Sequence, residues 1–333
     1  MKLDKTSNVV LCFPVKDHHV DQITAAVHPA KVTVSSQQAI DADILDADIF
    51  CGHAKEKELP WDQVVQQQRL KWIQSSAAGL DHCLKPAVID SQIPVTSASG
   101  LFADQVAEQT MALLFGLIRS MPAFSRAQQA KEFIRLPTDD LHGKTVGIVG
   151  FGGNGRRIAE LLSLMKVRIV ATDIYPVDKP NYVDELWSEN QLDNLLVASD
   201  IVIVCVPLNE QTFGMFDIAQ FATMKSNAYF INVARGQVVV ESALTDSIAS
   251  GHLKGVGVDV TEIEPLPETS PLWEMPNVLI TPHVGAQSFD RVDVTVDFFC
   301  QNVTRFQNQE PLLNKVDKRL GFPSPEDRVP SKR

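Results

Sequence analysis

The segment TVGIVGFGGNGRRIAELLSLMK, residues 145–166, constrains the fold of this chain more than any other. Val146–Val149 is a short apolar run of the kind that a strand buried on both faces shows. Gly150, Gly152 and Gly155 follow at G-x-G-x-x-G spacing, and Ile158, Leu161, Leu162 and Met165 then recur at helical intervals. Strand, glycine turn and helix in that order open a dinucleotide-binding unit. Gly150 permits the tight turn, Gly152 lets a pyrophosphate approach the backbone, and Gly155 lets the helix pack closely on the strand. Gly153 and Asn154 sit at the helix entrance, where backbone amides face the phosphates. The next strand, RIVATD, ends in Asp173, about twenty residues after Gly152. A carboxylate there accepts hydrogen bonds from a ribose diol and repels a 2′-phosphate, so the expected cofactor is NAD rather than NADP.

The rest of the chain fits an α/β class with doubly wound parallel sheets, because short apolar runs alternate with helical patterns throughout. At 333 residues the chain exceeds one ordinary core, and two domains are expected. The first hundred residues offer strands at Val9–Val15, Lys31–Val34, Asp48–Cys51, Leu70–Gln74 and Val95–Ser97, with a helix over Asp17–Val27. A long helix follows in FADQVAEQTMALLFGLIRS, with Phe102, Val106, Leu113 and Leu117 on one apolar stripe. A polar stretch then separates it from six further strands: TVGIVG, RIVATD, DIVIVCVPL, AYFINVA, GVGVDV and VLITPH. Gln287–Phe306 reads as a final helix and PSPEDRVPSKR as a frayed tail.

Charge and cysteine usage narrow the partners. A formal net charge of -11 argues against general nucleic-acid binding, which relies on a basic surface. No apolar run approaches the length that spans a bilayer, so no membrane partner is expected. The opening residues lack the pattern of a secretory signal. The five cysteines, Cys12, Cys51, Cys83, Cys205 and Cys300, never form a C-x-x-C pair and read as free thiols with no metal site, which points to the cytoplasm.

Four charged or titratable groups then stand at the ends of three later strands in the second series. Arg235 follows FINVA, Asp259 and Glu264 lie in GVGVDVTEIEPLP, and His283 lies in ITPHVGA. In an open parallel sheet the carboxyl ends of the strands face the ligand crevice, so these groups are directed to one place. Moving a hydride to a carbonyl carbon leaves charge on oxygen that a nearby acid must neutralise, and histidine suits that task near neutral pH. A carboxylate beside it favours the imidazolium and holds the ring. A guanidinium grips the carboxylate of a 2-oxo acid with several donors. The expected substrate is therefore a small 2-oxo acid or the matching 2-hydroxy acid.

GFGGNG, NVARG, DVTEIEPLP and TPHVGA together resemble the D-isomer-specific 2-hydroxyacid dehydrogenase family over about residues 8–320, in the manner of glyoxylate/hydroxypyruvate reductases and short phosphoglycerate dehydrogenases. The resemblance implies two Rossmann-like or flavodoxin-like lobes. Residues 1–100 with 288–333 would form a discontinuous substrate-binding domain, and 101–287 the NAD-binding domain. It implies Arg235 as the substrate-binding arginine, His283 as proton donor and acceptor, Glu264 as its partner and Asp259 as a contact of the nicotinamide carboxamide. It places Cys205, Val206, Pro207 and Thr212 along the cofactor site, with Val233 and Ala234 beside Arg235. The amides of Ala78 and Gly79 in SSAAGLDHC would hold the substrate carboxylate, and Leu101 and Phe102 would border the pocket. A homodimer is implied by kinship. Thr261 and Ile263 stand where relatives often carry Phe or an acidic residue. Two other activities have the same framework: an NAD(H)-sensing corepressor-like binding protein, and a formate or phosphite oxidoreductase. Relatives specialised for formate carry glutamine at the position of Glu264, which argues against the latter.

Overall fold

In the second strand series both faces of each strand are apolar, and the computed structural model shows why. Along β10 (Ala228–Asn232), Tyr229 and Ile231 enter one core while Ala228 and Phe230 enter the other. The same alternation runs along β9 (Ile201–Val204), whose four side chains are all fully buried. A strand covered on both sides has no polar face, hence the unbroken apolar runs.

The structure describes Leu3–Val329 apart from Lys55 and Val177. The chain divides into two units, Met1–Phe102 with Ser288–Arg333, and Ala103–Gln287. The first holds a five-stranded parallel sheet, order β2-β1-β3-β4-β5, formed by β1 (Asn8–Cys12), β2 (Lys31–Val34), β3 (Ile49–Gly52), β4 (Trp72–Ser75) and β5 (Val95–Thr96). One of its faces is closed by the helix Arg291–Asn308, whose Val296, Phe299 and Val303 join Val9, Leu11 and Trp72 in a single core. The Trp72 ring stacks on Phe299 and Phe306 at 5.4 and 5.5 Å.

The second unit holds a seven-stranded parallel sheet, order β12-β11-β10-β9-β6-β7-β8. Its remaining strands are β6 (Thr145–Val149), β7 (Arg168–Asp173), β8 (Glu185–Ser188), β11 (Leu253–Val258) and β12 (Val278–Ile280). The strand order reverses between β6 and β9, the switch point at which an open parallel sheet receives its ligand. The helix Ala103–Ile118 packs on this sheet through glycines. A Cβ at Gly257 would lie 3.1 Å from Leu113 Cβ, and one at Gly116 would lie 2.6 Å from Leu279 Cδ1.

Several sequence expectations change. β1 ends at Cys12 rather than Val15, since Pro14 has no N–H for the ladder. The sheet has a seventh strand, β8, in ELWS, which is too short and polar to register as an apolar run. The helix of the glycine segment stops at Ser163, leaving Met165 beyond its end and 37% exposed. The polar stretch after Ile118 contains a further helix, Met121–Ala130. The final helix starts at Arg291 rather than Gln287. The tail is ordered as far as described: Phe322–Pro323 pairs with Val316–Asp317, and Asn314 N donates to Asp327 O at 2.7 Å. Residues 330–333 of that tail lie outside the described residues.

Candidate active site

The glycine loop leaves β6 at the switch point. Gly150 has φ +95°, and a Cβ there would sit 2.9 Å from Val206 Cγ1, so the turn requires glycine. Gly155 lies under the loop, where a Cβ would be 2.1 Å from Gly150 O. Gly152 differs, since a Cβ on it would meet no protein atom within 4 Å. The space beside Gly152 is therefore open. Gly152 also stands at the N-cap of the helix Gly153–Ser163 and, being glycine, has no side chain to bond the first turn's N–H groups. Asp173 stands at the mouth of this loop. Its Oδ2 accepts the Phe151 N–H at 2.7 Å and its Oδ1 accepts the Tyr175 N–H at 2.8 Å. These features fit a dinucleotide: a phosphate cradle, a helix N-terminus and a ribose acceptor.

The loop after β9 faces it. Cys205 Sγ donates to Gly150 O at 3.0 Å, tying the two loops together. Beyond half-buried Val206 and Pro207, Thr212 donates its hydroxyl to Pro207 O at 2.6 Å and accepts the Asn209 N–H at 2.9 Å, which closes the turn.

Arg235 emerges from β10 through buried Val233 and Ala234. Asn232, also buried, shapes that exit: its Oδ1 accepts the Ala234 N–H at 3.0 Å and its Nδ2 donates to Arg235 O at 3.1 Å. Gly236 then packs directly on the loop after β11, since a Cβ would fall 1.9 Å from the Thr261 carbonyl carbon. This brings the arginine turn against the segment that carries Glu264. The Glu264 carboxylate meets His283 Nδ1 at 2.8 Å, with both side chains partly exposed, and accepts the Thr261 N–H at 3.2 Å. Burial alone would raise the Glu264 carboxyl. The hydrogen bond and charge of His283, the Thr261 amide and the Arg235 charge together outweigh it and hold the group below the usual carboxylate range. A carboxylate only accepts, so Nδ1 carries a hydrogen toward Glu264, and Nε2 is the nitrogen left to exchange a proton.

Asp259 lies beneath this pair, 3% exposed. It accepts from Thr281 Oγ1 at 2.6 Å, Val284 N at 3.0 Å and Gly285 N at 2.8 Å. The structure thus brings together Arg235, Glu264, His283 and Asp259 at the ends of β10, β11 and β12. Ala78 and Gly79 belong to the other unit, in the loop after β4, where Ala78 is exposed and Gly79 half-buried. Buried Ser75 organises that loop: its Oγ accepts the Ala77 N–H at 3.0 Å and lies 3.4 Å from His82 Nε2. Leu101 is half-buried and Phe102 buried, with the Arg291 guanidinium 4.8 Å over the Phe102 ring. Sequence reasoning passed over Asn232, Thr281 and Ser75. Each is a small polar residue whose role rests on partners that its local sequence does not name.

Residues 111–285 match the family model described as the NAD binding domain of D-isomer specific 2-hydroxyacid dehydrogenases. The chain belongs to that family. As a D-2-hydroxyacid dehydrogenase it is an enzyme with a nicotinamide cofactor. It is 31% identical to a glyoxylate reductase of Thermofilum pendens over 298 residues, 87% of this chain and 88% of that protein. Among solved structures, a D-isomer specific 2-hydroxyacid dehydrogenase of Xanthobacter autotrophicus Py2, in complex with NADPH and MES, aligns with a TM-score of 0.80 at 28% identity, covering 95% of this chain and 100% of that one. An NADPH-dependent glyoxylate/hydroxypyruvate reductase of Sinorhizobium meliloti, in complex with NADP and sulfate, gives the same TM-score at 27% identity, covering 95% and 100%. No helix among the described residues is long and apolar enough to cross a membrane.

Proposed function

We propose that this dehydrogenase uses NAD(H) to interconvert a small 2-oxo acid, of the glyoxylate, hydroxypyruvate or pyruvate type, and its D-2-hydroxy acid. The observation that carries the reading is the Glu264–His283 pair standing with Arg235 at adjacent strand ends. Gly150, Gly152, Gly153, Asn154 and Gly155 cradle the pyrophosphate, and Asp173 accepts the ribose hydroxyls, which favours NAD over NADP. Cys205, Val206, Pro207 and Thr212 line the adenine side, and Val233, Ala234, Asp259 and His283 the nicotinamide side. When bound, the nicotinamide supplies or accepts the hydride. Arg235 and the Ala78 and Gly79 amides orient the substrate carboxylate and leave the 2-oxo group toward His283. His283 Nε2–H protonates the developing alkoxide in reduction and takes the proton back in oxidation, while Glu264 stabilises the imidazolium and fixes the ring.

The test is NADH oxidation at 340 nm with a panel of 2-oxo acids. His283→Ala and Arg235→Ala are each expected to lower kcat/KM at least about a hundredfold. Turnover of none of the acids, with NADH still bound tightly, would instead favour a sensor. NADH is expected to outperform NADPH at least tenfold, and Asp173→Ser to erase that preference. We further propose a cytoplasmic homodimer. The five cysteines are all unpaired, and the segment after Ala130 exposes Phe133, Ile134 and Leu136. Light scattering on the purified chain reads the oligomeric state directly.

A further inference from the structure

The loop that carries His283 is held from outside by a residue to which the reaction assigns nothing. Gln109, half-buried on the helix Ala103–Ile118, donates from Nε2 to Thr281 Oγ1 at 2.9 Å. Thr281 has one hydroxyl hydrogen and gives it to Asp259 Oδ1 at 2.6 Å. It must therefore accept from Gln109, which fixes the orientation of that carboxamide. The Asp259 carboxylate also takes the Val284 and Gly285 amides, and its backbone O accepts the His283 N–H at 2.7 Å. His283 itself sits at φ 53°, a left-handed conformation that a non-glycine residue holds only when its surroundings impose it. Gln109 reaches the far side of the loop too: a Cβ on Gly285 would lie 2.8 Å from Asp259 Oδ2 and 3.8 Å from Gln109 Cγ. The helix is in turn pressed on the sheet at Gly257 and Gly116, so Gln109 is anchored rather than mobile.

We propose that Gln109 and Thr281 are positioning residues for the His283 imidazole, a relay from helix to Asp259 that keeps the left-handed turn in the one arrangement where Nδ1 meets Glu264. The inference rests on the reading of His283 as the proton donor and acceptor. Neither residue need touch substrate. Their effect is on how often Nε2 is aligned for proton transfer.

The experiment uses the full chain and the variants Gln109→Met, Thr281→Val and Thr281→Ser, with His283→Ala as reference. Gln109→Met and Thr281→Val are each expected to lower kcat about tenfold. NADH affinity by fluorescence and the melting temperature should stay close to wild type, and the solvent deuterium isotope effect on kcat should rise. Thr281→Ser, which keeps the hydroxyl, should behave as wild type. The double variant Gln109→Met/Thr281→Val should be no worse than the poorer single one, because both break the same relay. The proposal is overturned if kcat is unchanged in both variants while His283→Ala is inactive. It is equally overturned if kcat falls only in step with melting temperature and NADH affinity, or if Thr281→Ser is as impaired as Thr281→Val. If His283→Ala retains full turnover, the proton-transfer reading itself fails, and the relay has nothing to position.

Discussion

Cys205 shows how a residue can join two loops by packing and a hydrogen bond without being reactive. Its thiol hydrogen points at Gly150 O, and its sulfur would lie 3.2 Å from a Cβ on Gly155, so it fills the space between the glycine loop and the strand beside it. Burial, with the Asp173 charge adding to it, pushes the thiol up to about 12. Only roughly one molecule in ten thousand then carries a thiolate at pH 8. Iodoacetamide should therefore modify Cys205 about a thousandfold more slowly in the native protein than in the unfolded chain, as read by peptide mass mapping. Fast labelling of the native enzyme would show a reactive cysteine instead. The resemblance places this residue along the cofactor site, but a lone cysteine after an apolar run reads the same whether it packs or contacts a ligand.

At the scale of elements, two glycines a few strands apart have opposite purposes, and their substitution separates them. Gly236→Ala drives a Cβ into the Thr261 carbonyl, backbone that has no rotamer through which to yield. It should cost about 3 kcal/mol and lower the melting temperature by roughly 6–12 °C. Gly152→Ala meets nothing, so stability should hold while NADH affinity falls at least about tenfold, measured by fluorescence titration. Equal loss of stability in both would contradict this division. The glycine spacing was legible in the sequence because its context, apolar strand before and amphipathic helix after, is local. β8 was not, since four residues at a sheet edge, all at least partly exposed, carry no periodicity. The Gln109–Thr281 bond escaped for a third reason. It joins positions 172 residues apart, and nothing local to either names the other.

Over the whole molecule, acid should be the destabilising direction. Burial alone would raise the carboxyl groups of Asp139, Asp200 and Glu264, yet each is held below its ordinary value. For Asp139 the cause is hydrogen bonding from Lys254 and Tyr229, for Asp200 the Thr145 amide and Lys225, and for Glu264 His283. A carboxyl whose folded value is depressed adds stability that is fully present above its unfolded value and is lost as pH falls through the folded one. Melting temperature should thus be flat between about pH 5 and pH 8 and drop below about pH 4. Asp139→Asn and Asp200→Asn should flatten the acid limb, and a melting temperature that climbs on acidification would contradict the assignment. The two strand series were legible because they fall in separate blocks of sequence, whereas the return of the last helix to the first sheet was implied only by the family resemblance. What it entails concerns time. Trp72 finishes its core only when Phe299 and Phe306 stack on it, and Gln74 receives the Asn302 amide at 3.1 Å. A ribosome delivers those partners after the entire middle unit has been made, so the part of the enzyme begun first is the part completed last.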